Sequence, residues 1–338
     1  MTLPFATAHP QTSRRPAHGM AASHLLALAD ASHLLAPADA SHLLALADDA
    51  QRIIFALLSD ALRPAVVLEL TTCCHELRAI SKTARTELFQ RHSAAKRLCA
   101  RVNTSLAAMR EMKELLWYGA GLTTAHLATL GQLLHQNAPP QLEVINISIN
   151  RMGAEGMDAL CERLGQGSLS SVRVLDLTSN ALGSAGAATL AAAFSRGALP
   201  KLEVMKLGRN GLGDPGLSVL APPLRRLLAL KELHLYGNQI GEVGVQALLA
   251  NLGGAQLQQL RTLNLVGNLI NDAGCATLIA ALDSRAPPPL EDLRIDENPR
   301  MSEAAKNEAL RRAQPCRCGE LRPMSPPLRS DKLLIARE

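Results

Sequence analysis

At 338 residues, and roughly 150 residues per domain, the chain has room for about two domains. Hydrophobic residues make up 47% but aromatic ones only 2%, so Leu, Ala, Val and Ile must fill the core, and neither an immunoglobulin-type sandwich nor a site built on aromatic stacking is expected. The net charge of +5 is spread as −2 over residues 1–50, +5 over 51–111, −1 over 112–300 and +3 over 301–338, with no segment basic enough to demand nucleic acid.

Seven cysteines without framework spacing, and no apolar run of signal-peptide type in residues 1–30, point to a reducing compartment, the cytoplasm or the nucleus. No stretch reaches the 18 apolar residues of a membrane-spanning helix. The first 29 residues carry Arg14 and Arg15 and no acid, which leaves a transit peptide open beside a frayed, uncleaved N-terminus.

Residues 22–30, 31–39 and 40–48 read ASHLLALAD, ASHLLAPAD and ASHLLALAD. The nine-residue spacing of His24, His33 and His42 puts successive imidazoles on opposite faces of a helix, which speaks against a metal site. Pro37 interrupts the middle copy. Residues 1–49 therefore read as low-complexity, disordered sequence.

Residues 50–111 read helical: IIFALLSDAL, then VVLELTTCCHELRAI after Pro64, then SKTARTELFQRHSAAKRLCARV. Leu62, Pro64, Val67, Leu68, Cys74, Leu77 and Arg78 resemble the pattern of an F-box followed by a linker helix: Leu-Pro-Pro, paired apolars and a Cys followed by an Arg-rich turn. The motif's opening Leu-Pro falls on Ala50 and Gln51, and its usual Trp on Leu77. The resemblance implies docking to a Skp-type adaptor of a cullin-RING ubiquitin ligase through Leu62, Pro64, Val67, Leu68, Cys74 and Leu77. The other reading is an N-terminal helical cap over the apolar edge of the array that follows.

From Met112 the pattern apolar-x-x-apolar-x-apolar-x-x-Asn-x-apolar starts at 112, 142, 172, 202, 230, 260 and 290, in steps of 30, 30, 30, 28, 30 and 30. Asn150, Asn180, Asn210, Asn238, Asn268 and Asn298 fill the ninth position in six of seven copies, and Ala120 in the first; at this Asn frequency chance gives that about once in 10⁸. Alternate apolar side chains of a short strand point inward, and the Asn amide serves backbone groups left unpaired by the turn. Gly-x-x-Gly follows in four copies, and then Leu at four-residue spacing, the stripe of a helix. These residues resemble the leucine-rich repeat superfamily, in its ribonuclease-inhibitor-like class. The resemblance implies an α/β solenoid, or horseshoe, over 112–313, with parallel strands on the concave face, helices on the convex face and a protein as the bound partner.

Outward strand positions then carry the specificity: Asn146, Asp176, Lys206, His234, Asn264 and Arg294 at the fifth position, Tyr236 at the seventh and Arg209 at the eighth. Tyr236 and His234, flanked by Lys206 and Arg209, form the expected hot spot. Activators of Ran-type small GTPases share this repeat class, although they carry an acidic tail and this one is +3.

Gly211-Leu-Gly213-Asp-Pro-Gly216 matches G-x-G-x-x-G, but its sister copies share two of the glycines, so the repeat accounts for it better than a nucleotide. Cys316-Arg-Cys318 lacks a second ligand pair. Asn103-Thr-Ser105 and Asn146-Ile-Ser148 are glycosylation sequons, expected to be unused without a secretory signal. No G-x-S-x-G, H-E-x-x-H or P-loop is present, and the expectation is a non-catalytic protein without cofactor or metal. SEAAKNEALRRA at 302–313 reads as a closing helix with Ser302 as its N-cap, and residues 314–338 as a disordered basic tail with four prolines.

Overall fold

The structure is a computed structural model and describes residues 82–252, 259–283 and 290–313. The nonamers, the F-box-like residues 62–78 and the tail from 314 lie outside the described residues. The chain divides into two compact units.

The described part of the first unit holds α1 (Lys82–Arg101), α2 (Leu106–Arg110) and α3 (Thr124–Asn137), the helix of the first repeat. Leu88, Ala95, Leu98 and Cys99 are buried and fall on one stripe of α1, which packs on α3. Ser105 starts α2 by accepting from the Ala108 N–H at 3.1 Å. At α3 the Thr123 hydroxyl accepts from the His126 N–H, and His126 Nδ1 accepts from the Thr123 N–H, each at 3.3 Å. Histidine here does the work that Glu or Gln usually does in a capping box.

The second unit is an α/β solenoid. Its strands are β1 (Glu114–Leu116), β2 (Val144–Asn146), β3 (Val174–Asp176), β4 (Val204–Lys206), β5 (Glu232–His234), β6 (Thr262–Asn264) and β7 (Asp292–Arg294). They pair in parallel and in sequence order, each residue opposite its counterpart in the next repeat. The helices are α4 (Gly153–Cys161), α5 (Gly183–Ser195), α6 (Gly213–Leu224), α7 (Glu242–Leu252), α8 (Asp272–Leu282) and α9 (Glu303–Ala313), each packed on its neighbour. At the fourth and sixth positions the inward side chains are buried in every copy, from Leu115 and Trp117 to Leu293 and Ile295.

Small residues set the helix spacing. A Cβ on Gly216 would stand 3.2 Å from the Ser184 Cα, one on Gly244 3.2 Å from the Asp214 Cα, and one on Gly274 3.3 Å from the Glu242 Cα. This glycine, the second of Gly-x-x-Gly at Gly216 and Gly244, with Asn271 in place of the first glycine at Gly274, is thus where one helix meets the first turn of the preceding one, so Gly216 of the dinucleotide-like sequence has a packing role. As expected, Ser302 caps α9, its hydroxyl accepting from the Ala305 N–H at 3.2 Å.

Candidate functional site

The asparagines hold the strands in line. Asn180 Nδ2 donates to the carbonyls of Ile147 and Leu177, both at 3.0 Å. Its Oδ1 accepts from the Asn150 N–H at 2.9 Å. The same three bonds recur at Asn210 and Asn238. All six side chains are buried, and each amide meets groups of both its own and the preceding repeat, as a buried polar group must to avoid desolvation cost.

This frame leaves the third, fifth and seventh positions on the outer side of the strands. At the fifth, register places Asn146 beside Asp176, Asp176 beside Lys206, Lys206 beside His234, His234 beside Asn264, and Asn264 beside Arg294. The six expected partner-contacting residues of the fifth position therefore form one column, while Arg209 and Tyr236 lie outside it. Several are already engaged within the protein. Asn146 Oδ1 accepts from the Ser148 N–H and hydroxyl, Lys206 lies 4.0 Å from the Asp176 carboxylate, His234 Nε2 lies 3.1 Å from Glu232, and Arg294 pairs with Asp292 at 2.7 Å. The flanking carboxylate of Asp292 holds the Arg294 guanidinium above its ordinary pKa, aided by Glu232 and Asp296.

The eighth residue of every copy is in the left-handed region, from Gly119 and Ile149 through Ser179, Arg209, Gly237 and Gly267 to Glu297. Ile149 is β-branched, the class least suited to that conformation, and it is 57% exposed.

Three features of the face escaped the sequence reading. Valines 144, 174 and 204 lie side by side at the third position, half-buried; the pattern had treated that position as unconstrained, although alternation from the fourth residue would have turned it outward. Leu116 and Tyr118, at the fifth and seventh positions of the first repeat, are 51% and 47% exposed and are not among the expected partner-contacting residues. At the second position charges alternate into a rim: Glu203 bonds Arg173 at 2.6 Å and Lys231 at 2.7 Å, and Arg261 lies 3.2 Å from Glu291. The two cations, Lys231 first, hold the Glu203 carboxyl below its ordinary pKa.

The Leucine Rich repeat family matches residues 168–191, 198–221, 229–249 and 256–278. The chain carries leucine-rich repeats. The matched windows span the repeats of β3 to β6, and β1, β2 and β7 continue the same sheet in the same register. A search of curated proteins finds no match to the chain. Leucine-rich repeats are in general a non-catalytic interaction fold. Among the described residues no helix is long and apolar enough to cross a membrane.

Proposed function

We propose that this protein is a binding module of the ribonuclease-inhibitor-like class, which holds a protein partner on the outer side of its strands. The repeat steps and the helix in each repeat support the class. The observation that carries the reading is the apolar end of the face. Leu116, Tyr118 and Ile149 stand exposed at neighbouring outward positions of the first two repeats, and the fifth, seventh and eighth positions there hold no charge. Exposed apolar side chains gathered on one face mark an interaction surface, and the left-handed Ile149 is a strained residue placed where it meets solvent.

The test uses the full chain to capture partners from the source cells, quantified by mass spectrometry, beside a variant with Leu116→Asp and Tyr118→Asp. Native circular dichroism with at least a tenfold loss of the captured protein is the expected result. A folded variant that retains everything the native chain retains would overturn the reading. A Skp-type adaptor retained by both would assign to residues 62–77 the separate docking role that the F-box resemblance implies.

A further inference from the structure

Tyr236 is not an ordinary outward side chain. It occupies the seventh position of the fifth repeat, and the same position one repeat earlier is Gly208. A Cβ built on Gly208 would fall on Cε1, Cζ and Cε2 of the Tyr236 ring, all within 2.6 Å. Three ring atoms at near-equal separation mean that the ring lies face-on to the glycine rather than edge-on. Gly208 carries no left-handed φ, so what it supplies is space. Alongside, in the opposite direction, the stem of Arg209 leans over the next repeat: a Cβ on Gly237 would stand 3.1 Å from the Arg209 Cγ, and the Arg209 N–H donates to the Tyr236 carbonyl at 2.8 Å. The Tyr236 ring thus lies flat on a glycine of the adjacent strand, and the Arg209 Cγ packs against another.

We infer that Gly208 is a specificity-determining position of the strand face: by admitting the Tyr236 ring flat against the backbone it makes the tyrosine a fixed platform, whose outer face receives an apolar or aromatic side chain of the partner. The inference rests on the strand face being the binding surface. One face of the ring is covered by Gly208, and Tyr236 as a whole is only half-buried. A ring already immobilised loses little rotamer freedom when a partner stacks on it, which is how aromatic anchors gain affinity. Lys206 and Arg209 beside it disfavour a cation on that face by like-charge repulsion, and the negative face of the ring's own quadrupole disfavours a stacked anion, which leaves an uncharged side chain as the fitting ligand. Gly208 acts through Tyr236 and is a positioning residue.

The probe is a set of phage-displayed peptides selected on the full native chain. Dissociation constants of the best peptide are measured for native protein, Gly208→Ala, Tyr236→Ala and the double variant, with Tyr236→Leu as the variant that leaves Gly208 intact. The expected result is a loss of about tenfold for each of Gly208→Ala, Tyr236→Ala and Tyr236→Leu, with the double variant no weaker than Tyr236→Ala alone. In parallel, the Gly208 Hα resonances are shifted upfield by the overlying ring in native protein and return to ordinary values in Tyr236→Leu. Affinity within twofold of native in Gly208→Ala or Tyr236→Leu, or losses that multiply in the double variant, would overturn the inference. If Leu116→Asp with Tyr118→Asp abolishes peptide binding while the Gly208 and Tyr236 variants bind normally, the binding-face reading survives and this inference fails. Peptides indifferent to both sets defeat both.

Discussion

The second to fourth repeats and the fifth to seventh begin their helices in different ways. In the first group, Gly153, Gly183 and Gly213 sit at φ 62°, and each donates its N–H to the backbone carbonyl of the next repeat's asparagine at 2.9 Å. The residues before them, Met152, Leu182 and Leu212, offer no side-chain cap. In the second group side chains take over. Asp214 Oδ1 accepts from the N–H groups of Gly241 and Gly244 at 2.6 and 2.9 Å, Asn271 accepts from Gly274 at 2.8 Å, and Asp272 accepts from Ser302 at 2.6 Å. The 28-residue step, between the starts at 202 and 230, falls where one scheme gives way to the other. The chain enters the helix through a left-handed glycine in the first group and through a side-chain acceptor in the second, taken from the preceding repeat at Gly241, Gly244 and Ser302 and from the same repeat at Gly274.

The asparagines run through both groups, so breaking them should erase the contrast. Asn180→Ala and Asn268→Ala each strand two carbonyls and at least one N–H. At about 1–3 kcal/mol per buried unsatisfied group, each should cost about 3 kcal/mol or more, equally in the two halves, as read from denaturant midpoints.

The contrast sharpens at the glycines. A Cβ on Gly244 would lie 2.5 Å from Asp214 Oδ1, so Gly244→Ala should expel the carboxylate and cost about 2–3 kcal/mol. The cost should shrink in an Asp214→Ala background, because the acceptor is then already gone. Gly183→Ala meets nothing within 4 Å and should cost only the left-handed penalty, about 1–2 kcal/mol, with no such coupling. Thermal melts of the four single and double variants check both.

The smallest effect belongs to the rim. Because the folded pKa of Glu203 is lowered, its contribution is present above the unfolded value of about 4.3 and is lost as pH falls through the folded value. Glu203→Gln should therefore destabilise by less than about 1 kcal/mol at pH 7. Native and variant stabilities should converge as the pH is lowered below 4, a comparison that denaturant titrations at several pH values will settle.

The seven strands, their spacing and the inward Leu, Ile and Met positions were legible in the sequence because a period repeated seven times fixes register without any tertiary knowledge. The closing helix at 302–313 was legible for the same local reasons, a Ser cap before a helix-forming run. The candidate face was legible only as a list of positions. Sequence spacing shows that Asp176, Lys206 and His234 share a column, but not that the Glu232 carboxylate turns to His234. Nor does it show that Gly208, at the seventh position of the preceding repeat, is the floor beneath Tyr236. Such contacts depend on side-chain direction across strands, which the period does not encode.

The asparagine bonds also have a direction. Asn150, Asn180, Asn210 and Asn238 donate their backbone N–H groups forward, to the side chain of the following repeat, while each amide NH₂ reaches back to a carbonyl already made. During synthesis from the N-terminus, a newly emerged repeat closes its predecessor before it is closed itself. Until the Asn298 segment leaves the ribosome, the Ile270 N–H at the growing edge of the stack bonds only water; Asn298 Oδ1 then accepts from it at 3.0 Å.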